Sequence, residues 1–316
     1  MGRFYKIENI NDFLKTLMVE KIVDALILPL KNTPFLIKDV SLIEKTEPFS
    51  HCKGINTARE ISKLTFKGAF PFKVGVLLKP CELRAYRELI KLNQINPENI
   101  ITISFDCKGY EDREICEMCI DFLPEYADIQ LFQFGLDGFV VTSDISLPFE
   151  EIDFSNEKRE EEVNKLIEKR KEVRVERMKE IKENFRELLK DCIVCFNCMR
   201  VCPICFCQEC FFSSPNLKGD STTYLMRASR LNGLNFPENK LLFHLGRMNH
   251  MSLSCVNCGT CEDACPSKIP VAQMFATAGD EVKKLFNYTP GKSLEDKIPF
   301  TCYQHDELHD FEKEYK

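Results

Sequence analysis

The chain has 316 residues, of which 44% are hydrophobic and 29% are charged, and its formal net charge at pH 7 is -6. A chain of this length can form two domains with a sizeable buried core, and the composition is ordinary for a globular protein. The acidic balance provides no electrostatic footprint for nucleic acid, so we expect no nucleic-acid partner.

Membrane insertion is not expected, because no apolar run approaches the roughly 20 residues of a membrane helix. The first residues, MGRFYKIENI, lack an apolar signal region, so we place the chain in the cytoplasm. That compartment is kept reducing, and the 17 cysteines are therefore not expected to form a disulfide framework. Metal binding is the expected role of this many cysteines.

Residues 1–150 alternate between helical and strand patterns and predict an α/β domain with a mainly parallel sheet. The predicted elements, in chain order, are helix ENINDFLKTLMVEKIV, strand DALILPL, helix NTAREISKLTF, strand KVGVLLKPC, helix ELRAYRELIKLNQ, strand NIITISFDC, and one or two strands in ADIQLFQFGLDGFVVTS.

Residues 151–190 are predicted to be a charged helical linker. A single helix from Glu157 to Lys190 would be about 50 Å long, with one apolar stripe that packs on the protein. Its charges are interpreted as a solvated helix face. Residues 191–290 are predicted to form a second, all-α domain with helices in TTYLMRASRLN, LLFHLGRMNHM and PVAQMFATAGDEVKKLFNY. Residues 291–316 are predicted to be a polar C-terminal tail that is partly irregular.

Two copies of the spacing C-x2-C-x2-C-x3-C-P predict two [4Fe–4S] clusters in the second domain. In this motif three thiolates surround one face of a cluster, and the fourth cysteine, opening the next helix, reaches the other cluster. The expected ligand sets are Cys192, Cys195 and Cys198 with Cys265, and Cys255, Cys258 and Cys261 with Cys202. A pair of zinc sites is the alternative, but zinc usually takes two well-separated C-x2-C pairs.

The two motifs stand 52 residues apart, with helical stretches between Cys202 and Cys255. This arrangement is similar to the α-helical ferredoxin domain in the iron–sulfur subunits of succinate dehydrogenase and heterodisulfide reductase. The resemblance covers about a hundred residues.

A third cysteine group lies in the α/β domain. Cys81 and Cys107 end two predicted parallel strands, and Cys116 and Cys119 follow in CEMC. Thiols at the carboxyl edge of such a sheet can meet, and four suffice for a third [4Fe–4S] cluster. The alternative is that Cys81 and Cys107 are small buried apolar residues.

The segments KPCELRAYREL, FDC and CEMCIDFLPEYADIQLFQFG resemble the beta-subunit family of coenzyme F(420)-reducing hydrogenase and formate dehydrogenase. The resemblance spans residues 70–140 and implies an iron–sulfur cluster in this domain, often with FAD beside it. Two positions depart from the family pattern, since Lys79 precedes Pro80 and Glu82 follows Cys81. These departures leave FAD binding open.

Three further cysteines, Cys205, Cys207 and Cys210, could form an extra metal site, with Cys52 or Cys302 as a fourth ligand. The readings left open are a further cluster, a zinc site, or packed thiols. His244 and His250 precede the second motif, and we expect them to be structural.

The combined patterns predict an iron–sulfur electron-transfer subunit of an anaerobic oxidoreductase complex of the formate dehydrogenase, hydrogenase or heterodisulfide reductase type. It would relay electrons between a catalytic partner subunit and a redox carrier. No catalytic residue is predicted. The alternatives are a flavin-dependent oxidoreductase acting on a deazaflavin or nicotinamide carrier, and a metal-stabilised scaffold without redox turnover.

Overall fold

The computed structural model describes residues 3–213, 221–230, 239–299 and 301–302. Most of the predicted tail and the end of the predicted helix TTYLMRASRLN lie outside these residues. The described strands are β1 (Arg3–Ile7), β2 (Ala25–Leu30), β3 (Thr33–Ile37), β4 (Val74–Leu78), β5 (Ile100–Phe105), β6 (Ile129–Phe132) and β7 (Phe139–Ser143). The described α-helices are α1 (Ile10–Val19), α2 (Thr57–Leu64), α3 (Pro80–Lys91), α4 (Glu114–Glu117), α5 (Glu157–Leu188), α6 (Asn197–Arg200), α7 (Ser221–Arg230), α8 (Asn239–Met251), α9 (Thr260–Asp263) and α10 (Val271–Phe286).

The strands form one sheet in the order β1-β7-β6-β5-β4-β2-β3. Its four central strands, β6, β5, β4 and β2, run parallel, and antiparallel pairs lie at both edges. The predicted α/β fold with parallel central strands is therefore confirmed. The sequence reading missed β1 and β3, which are the two edge strands.

The sheet is buried on both faces by apolar side chains, as parallel strands require. Every residue of β4 is buried, and Gly75 in that strand lies against β2. A Cβ at Gly75 would come 2.7 Å from Leu26 Cδ2, so no larger residue fits between these two strands. This tight packing fixes β4 in the sheet, and the residues that follow it lie at the sheet's carboxyl edge.

Helix α5 differs from the predicted solvated linker. Its 32 residues give about 48 Å of helix, close to the expected length. However, Arg159, Arg170 and Arg174 on this helix are buried, so its charges are not all solvated. Arg159 donates two hydrogen bonds, of 2.8 and 2.6 Å, to Asp106, which follows β5. The helix therefore packs on the α/β sheet through its arginines.

Replacing Asp106 by Ala is expected to destabilise the protein by about 3–5 kcal/mol, because Arg159 would stay buried without its charge partner. The midpoint of thermal unfolding, followed anaerobically by circular dichroism, should fall. Glu161→Ala is the matched control, since Glu161 pairs with Lys165 on the same helix but is exposed to solvent. An Asp106→Ala protein that melts with the parent would contradict this account of α5.

The segment after α10 returns to the α/β part and packs on α3. Buried Glu88 accepts hydrogen bonds from the Tyr288 hydroxyl at 2.7 Å and from the Gly291 amide at 2.9 Å. Gly291 has a φ of +65°, and a Cβ there would overlap the carbonyl oxygen of Arg84. These contacts tie the segment after α10 to α3. Among the described helices, none has the length and apolar character needed to cross a bilayer.

Candidate metal centres

Three cavities are each lined by at least four cysteines. Cavity A is lined by Cys192, Cys195, Cys198 and Cys265, cavity B by Cys202, Cys255, Cys258 and Cys261, and cavity C by Cys81, Cys107, Cys116 and Cys119. Their volumes, measured to the centre of a water-sized sphere, are about 20, 30 and 20 Å³ respectively. One water needs about 10–15 Å³ by the same measure, and voids of this size are few in a packed interior. The thiols thus surround space instead of filling it.

The grouping in cavities A and B crosses the two motifs. Cys265 of the second motif faces the first triad in cavity A, and Cys202 of the first motif faces the second triad in cavity B. Cys202 follows the short helix α6, and Cys265 follows the short helix α9. The expectation that each of them opens the next helix is therefore wrong. In each motif the third cysteine, Cys198 or Cys261, lies within this short helical turn, and the chain passes through the turn from one cavity to the other.

The two motifs repeat an unusual backbone pattern. Val194 and Asn257, and then Phe196 and Gly259, have φ values of 51°, 56°, 62° and 75°. Non-glycine residues in this left-handed region cost roughly 1–3 kcal/mol each and persist only where their surroundings fix them. A loop with these turns wraps around its cavity, so the strain supports a ligand-binding loop in each motif.

Cavity C lies at the carboxyl edge of the sheet, where β4 and β5 end. The prediction that Cys81 ends a strand is wrong, because β4 stops at Leu78 and α3 begins at Pro80. Proline is favoured in the first helical position, and the Glu82 carboxylate accepts a hydrogen bond from the Lys79 amide at 3.2 Å. Cys81 therefore lies in the first turn of α3, and its thiol is at the positive end of the helix.

Cys107 also differs slightly from its predicted position, since it lies two residues beyond the end of β5 at Phe105. Asp106, between them, is the residue that Arg159 binds, and this contact ends the strand. The structure nevertheless brings Cys107 to cavity C together with the two CEMC cysteines. Cys116 lies within α4, and Cys119 follows this helix.

The two departures from the family pattern form an ion pair with each other. Lys79 Nζ lies 3.2 Å from Glu82 Oε1, and both side chains are buried. Glu82 also accepts hydrogen bonds from the amide and hydroxyl of Thr57, at 3.0 and 3.1 Å. Lys79 lines cavity C, so the pair places a positive charge on its wall.

Cavities B and C share a wall. Asn257 and Cys258 line both of them. Arg113 crosses this wall, donating to the carbonyl of Cys258 at 2.8 Å and to Asp263 at 3.0 and 3.1 Å, with Cys116 Sγ 3.8 Å away. His51 Nε2 lies 2.9 Å from the same carboxylate. The α/β part and the cysteine-motif part are therefore joined at this point by buried charges.

Arg247 of α8 joins cavities A and B. It lines cavity B and donates to Cys198 Sγ of cavity A at 3.1 Å and to the Cys198 carbonyl at 3.2 Å. The three cavities consequently form a continuous row in the order A, B, C. Sequence reasoning did not find Arg113 or Arg247, because their partners are remote in the chain. It noted Lys79 only as a departure from the family pattern, although its partner Glu82 lies three residues away.

Several cavity thiols are protonated at pH 7 when no metal is bound, because burial raises their pKa values. Burial raises the pKa of Cys255 to about 12 and the pKa values of Cys198 and Cys107 to about 11. Only thiolates bind metal, so loading these cavities must release protons.

The structure places the three cysteines of the predicted extra site in separate surroundings. Cys205 Sγ lies 3.2 Å from Met251 Sδ, Cys210 Sγ lies 3.8 Å from Met199 Sδ, and Cys207 is exposed. Cys52 is buried and Cys302 bonds the Ile298 carbonyl. In the described ranges no three His, Cys, Asp or Glu side chains converge on one metal-ion position.

His244 lines cavity A, whereas His250 is exposed. Burial, together with the nearby Arg247, lowers the pKa of His244 to about 4, so its imidazole is neutral at pH 7. Its Nε2 lies 3.3 Å from Cys192 Sγ. This contact allows His244 to position a thiol, in keeping with the structural role expected for it.

Comparison with known proteins places these cavities in a family context. Residues 187–269 match the model of a 4Fe-4S dicluster domain. The F(420)-dependent formate dehydrogenase subunit beta of Methanocaldococcus jannaschii is 27% identical, over 88% of this chain and 89% of the relative. The F(420)-dependent formate dehydrogenase 1 subunit beta of Methanococcus maripaludis is 26% identical, over 72% of this chain and 74% of the relative.

These matches confirm the resemblance drawn from the sequence, both to formate dehydrogenase beta subunits and to a dicluster ferredoxin domain. They support [4Fe–4S] clusters in this chain and the general role of an iron–sulfur electron-transfer subunit.

Proposed function

We propose that this chain relays electrons within a formate dehydrogenase type of complex, through three [4Fe–4S] clusters held in a row. The observation that carries the proposal is the continuous series of three cavities, each lined by at least four cysteines. A series of this kind serves no purpose in a scaffold, whereas closely spaced redox centres are what electron transfer through a protein requires.

The residues present fit such clusters. Each cavity offers four thiols, the ligand number of a [4Fe–4S] cluster, and the ferredoxin-type motifs supply those of cavities A and B. When bound, the clusters supply one-electron transfer. The protein's own residues fix the order of the centres, exclude water from them and donate hydrogen bonds to the sulfurs, as Arg247 does to Cys198.

The proposal also divides the chain into two domains. Residues 1–150 supply the four ligands of the cluster in cavity C, and residues 191–290 supply those of the clusters in cavities A and B. The partner is a separate catalytic subunit that oxidises formate, because the two relatives are named as beta subunits of formate dehydrogenases. The role proposed for this chain is electron transfer and not formate oxidation.

A second candidate function is a flavin-dependent oxidoreductase activity toward a deazaflavin carrier. The names of the relatives favour it, since both are F(420)-dependent. A deazaflavin accepts hydride, so a centre that collects single electrons and delivers them in pairs is needed, and a flavin can do this. Its position would be next to cavity C, in the domain that resembles the flavin-binding family.

Anaerobically purified protein is expected to contain about twelve irons and twelve acid-labile sulfides per chain, as three cubane clusters require. Flavin and zinc should be quantified on the same sample. About eight irons per chain after anaerobic reconstitution would contradict the third cluster, and zinc in place of iron would contradict the relay. Stoichiometric flavin would favour the second candidate in addition to the first.

A further inference from the structure

One buried arginine of α5 lacks the carboxylate partner that the other two buried arginines of this helix have. Arg170 of α5 is only 5% exposed. It donates to the carbonyls of Lys108 and Cys119, at 2.6 and 3.1 Å, and its guanidinium lies 4.5 Å from the ring centre of Phe122. Among the described residues no Asp or Glu forms an ion pair with it, unlike Arg159 and Arg174.

The two other buried arginines of α5 are neutralised. Arg159 binds Asp106, and Arg174 binds Asp280 at 2.6 and 2.8 Å. Removing a charge from water is costly unless a counter-charge is supplied. Carbonyl oxygens satisfy hydrogen bonds but do not cancel the charge of a guanidinium. The position of Arg170 therefore implies an anion nearby.

Arg170 lines cavity C, and the cysteines there would become anionic on binding a cluster. Four thiolates around a [4Fe–4S] core leave a net negative charge, and this charge grows by one when the cluster takes up an electron. The buried arginine is thus matched to a cluster in cavity C, and the match is better for the reduced cluster.

The walls of the three cavities differ in charge. Cavity C is lined by Lys79 and Arg113, which are paired with Glu82 and Asp263. It is also lined by Asp121 and by Arg170, which forms no ion pair among the described residues. In the described part of the chain, Arg247 is the one charged residue in the wall of cavity B, and no Asp, Glu, Lys or Arg lines cavity A. The positive end of α3 also points to cavity C, because Cys81 lies in its first turn.

We infer that Arg170 is a positioning residue whose fixed positive charge makes the cluster of cavity C the most readily reduced of the three clusters. The inference rests on the proposed function, since it requires a cluster in each cavity. Net charge and hydrogen bonding around a cluster set its reduction potential, and a buried cation raises that potential. Electrons that enter the row collect at cavity C, in the α/β domain, with no bond made or broken.

The test is an anaerobic redox titration of the full-length protein with dithionite, followed by electron paramagnetic resonance. The signal of the cavity C cluster is identified by its absence from Cys119→Ala. In the unmodified protein this signal should appear first as the potential is lowered. Arg170→Gln should lower the equilibrium constant for reduction of the cavity C cluster at least tenfold relative to the other clusters. This change corresponds to a fall of 59 mV in the reduction potential of a one-electron couple.

Arg174→Gln is the control, because it removes a buried arginine one turn along the same helix that Asp280 already neutralises. It should leave the order of reduction unchanged, and Arg170→Lys should restore most of the potential. A cavity C signal that appears last in the unmodified protein, or that does not move in Arg170→Gln, would overturn the inference. Absence of the third signal from the unmodified protein would instead refute the proposed function.

Discussion

Replacing Cys202 by Ser is expected to remove the cluster of cavity B and leave that of cavity A intact. Cys202 belongs to the first motif in the sequence, yet it lines the cavity of Cys255, Cys258 and Cys261. Its backbone carbonyl accepts a hydrogen bond from Arg59 at 3.2 Å, so its position is fixed from the α/β part. Iron content should fall by about four per chain, the content of one cubane cluster.

Cys207→Ser is the matched control for this experiment. Cys207 lies five residues further along, is exposed and lines none of the three cavities, so its loss should leave iron content and spectra unchanged. The crossed arrangement makes one further demand, that Cys265→Ser remove the cluster of cavity A. If Cys202→Ser and Cys265→Ser each removed the cluster of their own motif, the crossed ligation would be incorrect.

The grouping of the ferredoxin-type cysteines could be predicted because their spacing alone restricts the loop. Three cysteines separated by two residues each must wrap around a small object, and the fourth is too far along the chain to join them. The left-handed turns at Val194 and Phe196 were not predictable, since valine and phenylalanine do not favour that region. The loop imposes the conformation on these residues.

The error at Cys81 has a local cause. VGVLL is a buried strand. Hydrophobicity alone gives no end to this strand before KPC, so the predicted strand extends to Cys81. The signal for the helix start was nevertheless present, as a Pro in the first helical position and a Glu two residues later. Capping residues were therefore the better guide to this boundary than apolar periodicity.

The arginines that surround the cavities could not be assigned from the sequence. Arg113 binds Asp263, 150 residues away, and Arg170 looks like any other residue of a charged helix. Burial decides the role of these charges, and burial depends on which face of α5 packs on the α/β part. The edge strand β1 escaped prediction for a related reason, because it pairs with β7, far along the chain.

Replacing Cys119 by Ala is expected to abolish a cluster in cavity C while the clusters of cavities A and B persist. Cys119 is one of five thiols that line this cavity. The fifth, Cys258, also lines cavity B and is a ligand of the cluster proposed there, so a cubane in cavity C that loses Cys119 has no spare ligand. Iron should fall from about twelve to about eight per chain, with the ferredoxin-like spectrum retained.

Cys52→Ala separates loss of a ligand from loss of a buried thiol. Cys52 is 1% exposed, and burial raises its pKa to about 11, as it does for Cys107, but it does not line cavity C. Cys52→Ala should keep all three clusters. Cys119→Ala should lose the cavity C cluster and with it electron transfer from the reduced dicluster domain to a carrier docked on the α/β domain. Equal iron contents in the two variants would show that the cavity C cysteines only pack, and a flavin alone would then have to serve that end of the row.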